Sequence, residues 1–176
     1  MKEKGYSKVL SSIITDVLNK EGFQYIFDDA CGAFIFSLNL NCDIKNITIA
    51  ITVNDEGYIV FVTTPFGADK NDTKMMTSLM EFVCRANYSM DTGCLEIDCD
   101  DGEIGFLNRI SCERFTPSEK VIRTSIYRSA VSFIQYSVGI TNIIINDYSA
   151  KKALKQCETN NDDIGSIVEK LLDADY

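Results

Sequence analysis

The residues best placed by type and spacing to do chemistry are six in a row, Asp98-Cys99-Asp100-Asp101-Gly102-Glu103. Carboxylates at alternating positions before a glycine begin like a calcium loop. A twelve-residue loop of that kind closes on a bidentate carboxylate, and position 109 holds Arg109 instead. Apolar alternation on both sides explains Asp100-Asp101-Gly102 as a hairpin turn with no ion. The seven cysteines, at 31, 42, 84, 94, 99, 112 and 157, form no CxxC, and the chain has no histidine to complete a mixed zinc site. Cys94 and Cys99 fall on one expected strand at odd separation, so they point to opposite faces. All seven are expected to be free thiols, with no metal and no cofactor.

The missing histidine also removes Ser-His and Cys-His nucleophilic pairs. Neither GxGxxG nor the P-loop pattern occurs, so no glycine loop cradles a phosphate. Asp28-Asp29, Asp162-Asp163 and Asp173 fall in turns or near chain ends, where solvated charge is expected rather than a converging acid/base pair. Arg109, Arg114, Lys120, Arg123 and Arg128 make a basic stretch diluted by Glu113 and Glu119, which reads as a solvated helix face with local pairing. Lys151, Lys152 and Lys155 suit an exposed short helix. No catalytic, cofactor-binding or metal-binding residue is assigned, and no enzyme is expected. A net charge of −9 opposes broad contact with nucleic acid or anionic lipid.

The elements that must position these residues follow from hydrophobic period. Val9, Leu10, Ile13, Ile14, Val17 and Leu18 recur at helical spacing and stop at Gly22. Phe23, Tyr25 and Phe27 then alternate, leading into a sheet. Phe34, Phe36, Leu38 and Leu40 alternate, as do Ile47, Ile49, Ile51 and Val53. Asn54-Asp55-Glu56-Gly57 turns into a third strand, Tyr58 to Thr64. Asp72 caps a second helix with the stripe Met76, Leu79, Met80, Val83 and Ala86, ending near Asn87. Leu95, Ile97 and Cys99 alternate, and Ile104, Phe106 and Ile110 return, with polar Asn108 interrupting that face. Thr116-Pro117-Ser118-Glu119 reads as a capping box opening a third helix. Its stripe of Val121, Ile122, Ile126, Ala130, Phe133 and Ile134 ends before Gly139. Ser149 to Glu158 forms a short helix, Asn160 to Asp163 a break, and Ile164 to Leu172 a tail helix.

The order is α-βββ-α-ββ-α, an α+β class with a five-stranded, mostly antiparallel curved sheet in two blocks, 31–64 and 94–112. Residues 1–158 are expected to form one domain. Residues 159–176 form a tail helix packing on that domain or on a partner. The core is expected to include Ile13, Val17, Phe36, Ile49, Ile51, Val60, Leu79, Val83, Leu95, Phe106, Ile122, Ile126 and Phe133. No apolar stretch follows Met1-Lys2-Glu3-Lys4-Gly5 as in a signal peptide, and no run approaches a membrane span. A cytoplasmic protein with no membrane contact is expected.

Leu79-Met80-Glu81-Phe82-Val83-Cys84-Arg85-Ala86-Asn87, Gly93-Cys94-Leu95-Glu96-Ile97-Asp98, Asp101-Gly102-Glu103-Ile104-Gly105-Phe106 and the helix after Thr116 resemble the YbjN-like family. That family is described as bacterial sensory transduction regulators. Gly139 to Ile145 and Ser149-Ala150-Lys151-Lys152-Ala153 look like its closing short helix. The resemblance runs from the first helix to about Glu158. It implies a fold like that of type III secretion chaperones and a non-enzymatic regulatory or chaperone-like role, often as a homodimer. The family has no established catalytic residues. Asn87 matches a family position, with the structural task of tying the helix end to the next strand.

The function expected is therefore a protein-binding module that takes up a partner or peptide segment by strand addition or groove docking on a helix-free patch. The alternative is a small-molecule-binding or weakly enzymatic domain with a pocket between sheet and helices. Apolar residues that widen the third helix beyond one stripe (Ile134, Tyr136 and Val138) and those in the tail raise the expectation of self-association.

Overall fold

A computed structural model describes residues 5–39 and 46–159 of the 176-residue chain. Helix α1 (Lys8–Lys20) starts where the Ser7 side chain accepts from the Leu10 N–H. It stops at Gly22, whose left-handed backbone lets Gly22 N–H reach the Asn19 carbonyl and Phe23 N–H the Leu18 carbonyl. Strands β1 (Tyr25–Asp28), β2 (Ala33–Asn39), β3 (Asn46–Val53) and β4 (Gly57–Thr63) follow as an antiparallel run. Helix α2 (Thr73–Tyr88) is capped by Asp72, which accepts from Met75 N–H. Strands β5 (Cys94–Ile97) and β6 (Ile104–Ser111) precede helices α3 (Glu119–Asn146) and α4 (Ala150–Thr159).

The class is α+β, with an open antiparallel sheet in the order β1-β2-β3-β4-β6-β5. Among the described residues it has six strands rather than five. The extra one is β1, only four residues long, which the short alternation Tyr25, Phe27 underweights. It is held by the Phe27 ring on Phe34, with centroids 4.4 Å apart, and by a turn in which Ala30 N–H donates to the Asp28 carboxylate. The two expected blocks join into one sheet because β6, not β5, pairs with β4.

Alternate strand residues form one apolar cluster with the helices: Phe34, Phe36, Ile47, Ile49, Ile51, Val53, Tyr58, Val60, Val62, Leu95, Ile104 and Phe106. Of the expected core residues, only Ile13 is half-buried. Ile14 takes the innermost place, because the buried face of α1 is rotated to include Ser11 and leaves Val9 exposed. Met80 and Val121 likewise stand exposed at the margins of their stripes.

The third helix departs most from expectation. It begins two residues later, with Ser118 rather than Thr116 as its cap, and Glu119 pairs with Lys20 of α1 at 2.6 Å instead of closing a capping box. It also runs through Gly139 for two more turns. Gly139 is a packing notch: a Cβ there would meet the Phe82 ring at 2.6 Å and the Cys157 Sγ at 2.7 Å. α2 and α4 both close on α3 at this point. They also cover residues on which the self-association expectation rested, for Ile134 is buried and the Tyr136 ring stands edge-on to Phe82. Leu40, Cys42 and the tail helix of 164–172 lie outside the described residues. No helix among the described residues is long and apolar enough to cross a membrane.

Candidate functional site

The acidic run resolves into a turn. Asp98 accepts from Asp100 N–H at 2.7 Å, Asp101 accepts from Glu103 N–H at 2.8 Å, and Gly102 N–H donates to the Asp98 carbonyl. The carboxylates thus serve their own backbone. Cys99 sits in this turn and not on the strand with Cys94, since β5 ends at Ile97. Among the described residues, no three acidic or cysteine side chains come together in a way that could hold a metal ion.

The six described cysteines are free thiols. Burial pushes Cys157 up to about 11 and also raises Cys94 and Cys112. The neighbouring Asp28 carboxylate raises exposed Cys31. These four thiols are protonated at neutral pH, the opposite of an activated nucleophile.

The basic stretch is not uniformly solvated. Arg123 pairs with Glu21 at 2.8 Å, both side chains being less than a fifth exposed, and its guanidinium lies 5.4 Å from the Tyr127 ring centroid. The Tyr127 hydroxyl donates to the same Glu21. Burial, followed by this carboxylate, holds the Tyr127 hydroxyl above its ordinary range. The trio ties the end of α1 to α3. Two further contacts join sheet and helix. The Tyr58 and Ser125 hydroxyls are 2.9 Å apart, and the Asn108 amide donates to the Ser129 hydroxyl at 3.3 Å. Asn108 therefore interrupts its apolar face in order to meet α3. Asn87 ties the end of α2 to β5 twice, donating to the Leu95 carbonyl at 2.9 Å and accepting from the Leu95 N–H at 2.8 Å.

What single-face alternation misses is the other side of the sheet. Among the described residues, no non-glycine residue on that side of the strands is buried, while all four helices bury residues in the opposite cluster. Its centre is nonetheless apolar. Register places Ile26 against Ile35, Ile35 against Ala50, Ala50 against Phe61, Phe61 against Leu107 and Leu107 against Cys94. The result is a straight row across all six strands, about 24 Å long at the usual strand spacing. Ile26 is 72% exposed and Ile35 45%. The Phe61 ring lies across Gly105, where a Cβ would come within 2.3 Å of it. Beside Phe61 a notch of about 190 Å³ is rimmed by Glu96, Asp98 and Glu103. The unbroken run Tyr58-Ile59-Val60-Phe61-Val62 was the available signal, because a strand solvated on one side should alternate.

Comparison with protein-family models, with curated proteins and with solved structures finds no match for the chain.

Proposed function

We propose that this chain is a non-enzymatic protein-binding module, regulatory or chaperone-like as the YbjN-like resemblance implies. On this reading it holds a segment of another protein on the helix-free face of its sheet. The observation that carries the reading is the apolar row from Ile26 to Cys94, since a contiguous apolar patch rimmed by polar residues marks an interaction surface. The edge strands β1 and β5 are four residues each, which blunts them for strand addition and favours docking on the face. Charge selects the occupant. The Phe61 notch is rimmed by three carboxylates in a chain of net charge −9. It suits a lysine or arginine whose stem lies on the ring and whose head meets the acids. The partner segment is thus amphipathic, with apolar side chains for the row and a basic residue for the notch.

Pull-down with the full chain and with an Ile35→Ser/Phe61→Ser variant tests this. A partner held by the parent, lost by the folded variant, and bound through a basic amphipathic segment supports the reading. Equal capture by both proteins contradicts it. Self-association through this face would put a second copy in the segment's place and overturn the stated occupant.

A further inference from the structure

On the helix-covered side, β5 stops pairing at Cys94 opposite Leu107, so among the described residues β6 from Asn108 onward has no strand on the flank away from β4. A cleft of about 430 Å³ opens there against the first turns of α3. Its apolar lining comes from Ile110 and Val121, the latter 42% exposed. Lys120 and Arg128 supply its charge, and no carboxylate lines it, although acids outnumber bases 26 to 17 in the chain. Val121, Thr124 and Arg128 share one helix face at spacings of three and four.

Three of the polar lining groups are already engaged, Asn108 with Ser129, Ser125 with Tyr58, and Ser118 as acceptor from the Val121 N–H. Lys120 and Arg128 form no ion pair among the described residues. The three-donor head of Lys120 and the five-donor head of Arg128, with the hydroxyls of Thr92 and Thr124, are what the cleft offers a ligand. Two cations, two hydroxyls and an apolar wall in a volume of small-molecule size describe an amphipathic acid.

We propose that this cleft binds a small organic anion, its phosphate or carboxylate held by Lys120 and Arg128 and its apolar body on Ile110 and Val121. The site is separate from the sheet face proposed for protein binding, so either assignment can fail alone.

Amide NMR titration of the full chain at low ionic strength tests it, with phenyl phosphate, benzoate and uncharged benzyl alcohol as probes. At least one anion is expected to shift Thr92, Asn108, Ile110 and Thr124 saturably in the millimolar range or tighter, and the alcohol is not. The stronger of the two anions tells phosphate from carboxylate. A folded Lys120→Gln/Arg128→Gln variant should lose about fivefold or more in affinity, and a smaller loss overturns the assignment. So does the absence of saturation by either anion, equal binding of benzyl alcohol, or shifts confined to Ile35 and Phe61 on the opposite face.

Discussion

The Phe82 ring stands so close over Gly139 that one added carbon would lie 2.6 Å from it. Gly139→Ala sets two effects against each other. Alanine gains about 1 kcal/mol of helix propensity. Overpacking a filled site typically costs about 1–3 kcal/mol, and here Phe82 and Cys157, both fully buried, are struck at once. The packing cost is expected to win. Urea titration should show a net loss of stability, and a stabilised Gly139→Ala protein would mean that α2 and α4 pack less tightly on α3.

Phe133, 2% exposed on the inner face of α3, should cost about 3–5 kcal/mol when cut to alanine. The same titration reads this. A change of surface-mutation size would show the face of α3 to be misassigned.

Asn87→Ala should cost about 1–3 kcal/mol, because it strips both partners from the Leu95 backbone. Amide exchange at Leu95 should speed up in this variant well beyond that of β6. Unchanged protection of Leu95 would mean the two bonds are not made in solution.

Burial raises Tyr58 from 10.0 to about 12, partly offset by its bond to Ser125. The protonated phenol is the form the fold favours. Its contribution is therefore fully present below pH 10, the unfolded value, and is lost as pH rises toward 12. Unfolding free energy measured against pH should fall through that window, and less steeply in Tyr58→Phe. Identical slopes in the two proteins would place the hydroxyl in solvent.

Much of the fold was legible because burial acts on one face at a time. Ile47, Ile49, Ile51 and Val53 alternate as they do since only that side meets the helices, and Asp72 announces its cap through its type and position. Gly139 misled because a glycine after an apolar stripe reads as a stop, whereas here it answers to Phe82 and Cys157, 57 and 18 positions away. Strand β1 was too short for its period to stand alone. The Glu21–Arg123–Tyr127 contact joins residues 102 and 106 positions apart, and nothing in their types separates such a pair from solvated charge. The outer row was half legible in the apolar run of β4. Its continuity needed the register, which brings Ile26, Ile35, Ala50, Phe61 and Leu107 into line from five strands.

Amide NMR titration with two synthetic peptides decides whether the helix-free face takes a basic amphipathic segment. Both carry the same alternating apolar residues, and they differ only in a lysine or a glutamate at the flanking positions. The lysine peptide is expected to shift Ile35, Ala50, Phe61 and Leu107 together with Glu96 and Glu103, and to bind more weakly as salt is raised. The glutamate peptide should bind more weakly. Shifts scattered over the helices, or equal binding of the two peptides, would contradict this docking.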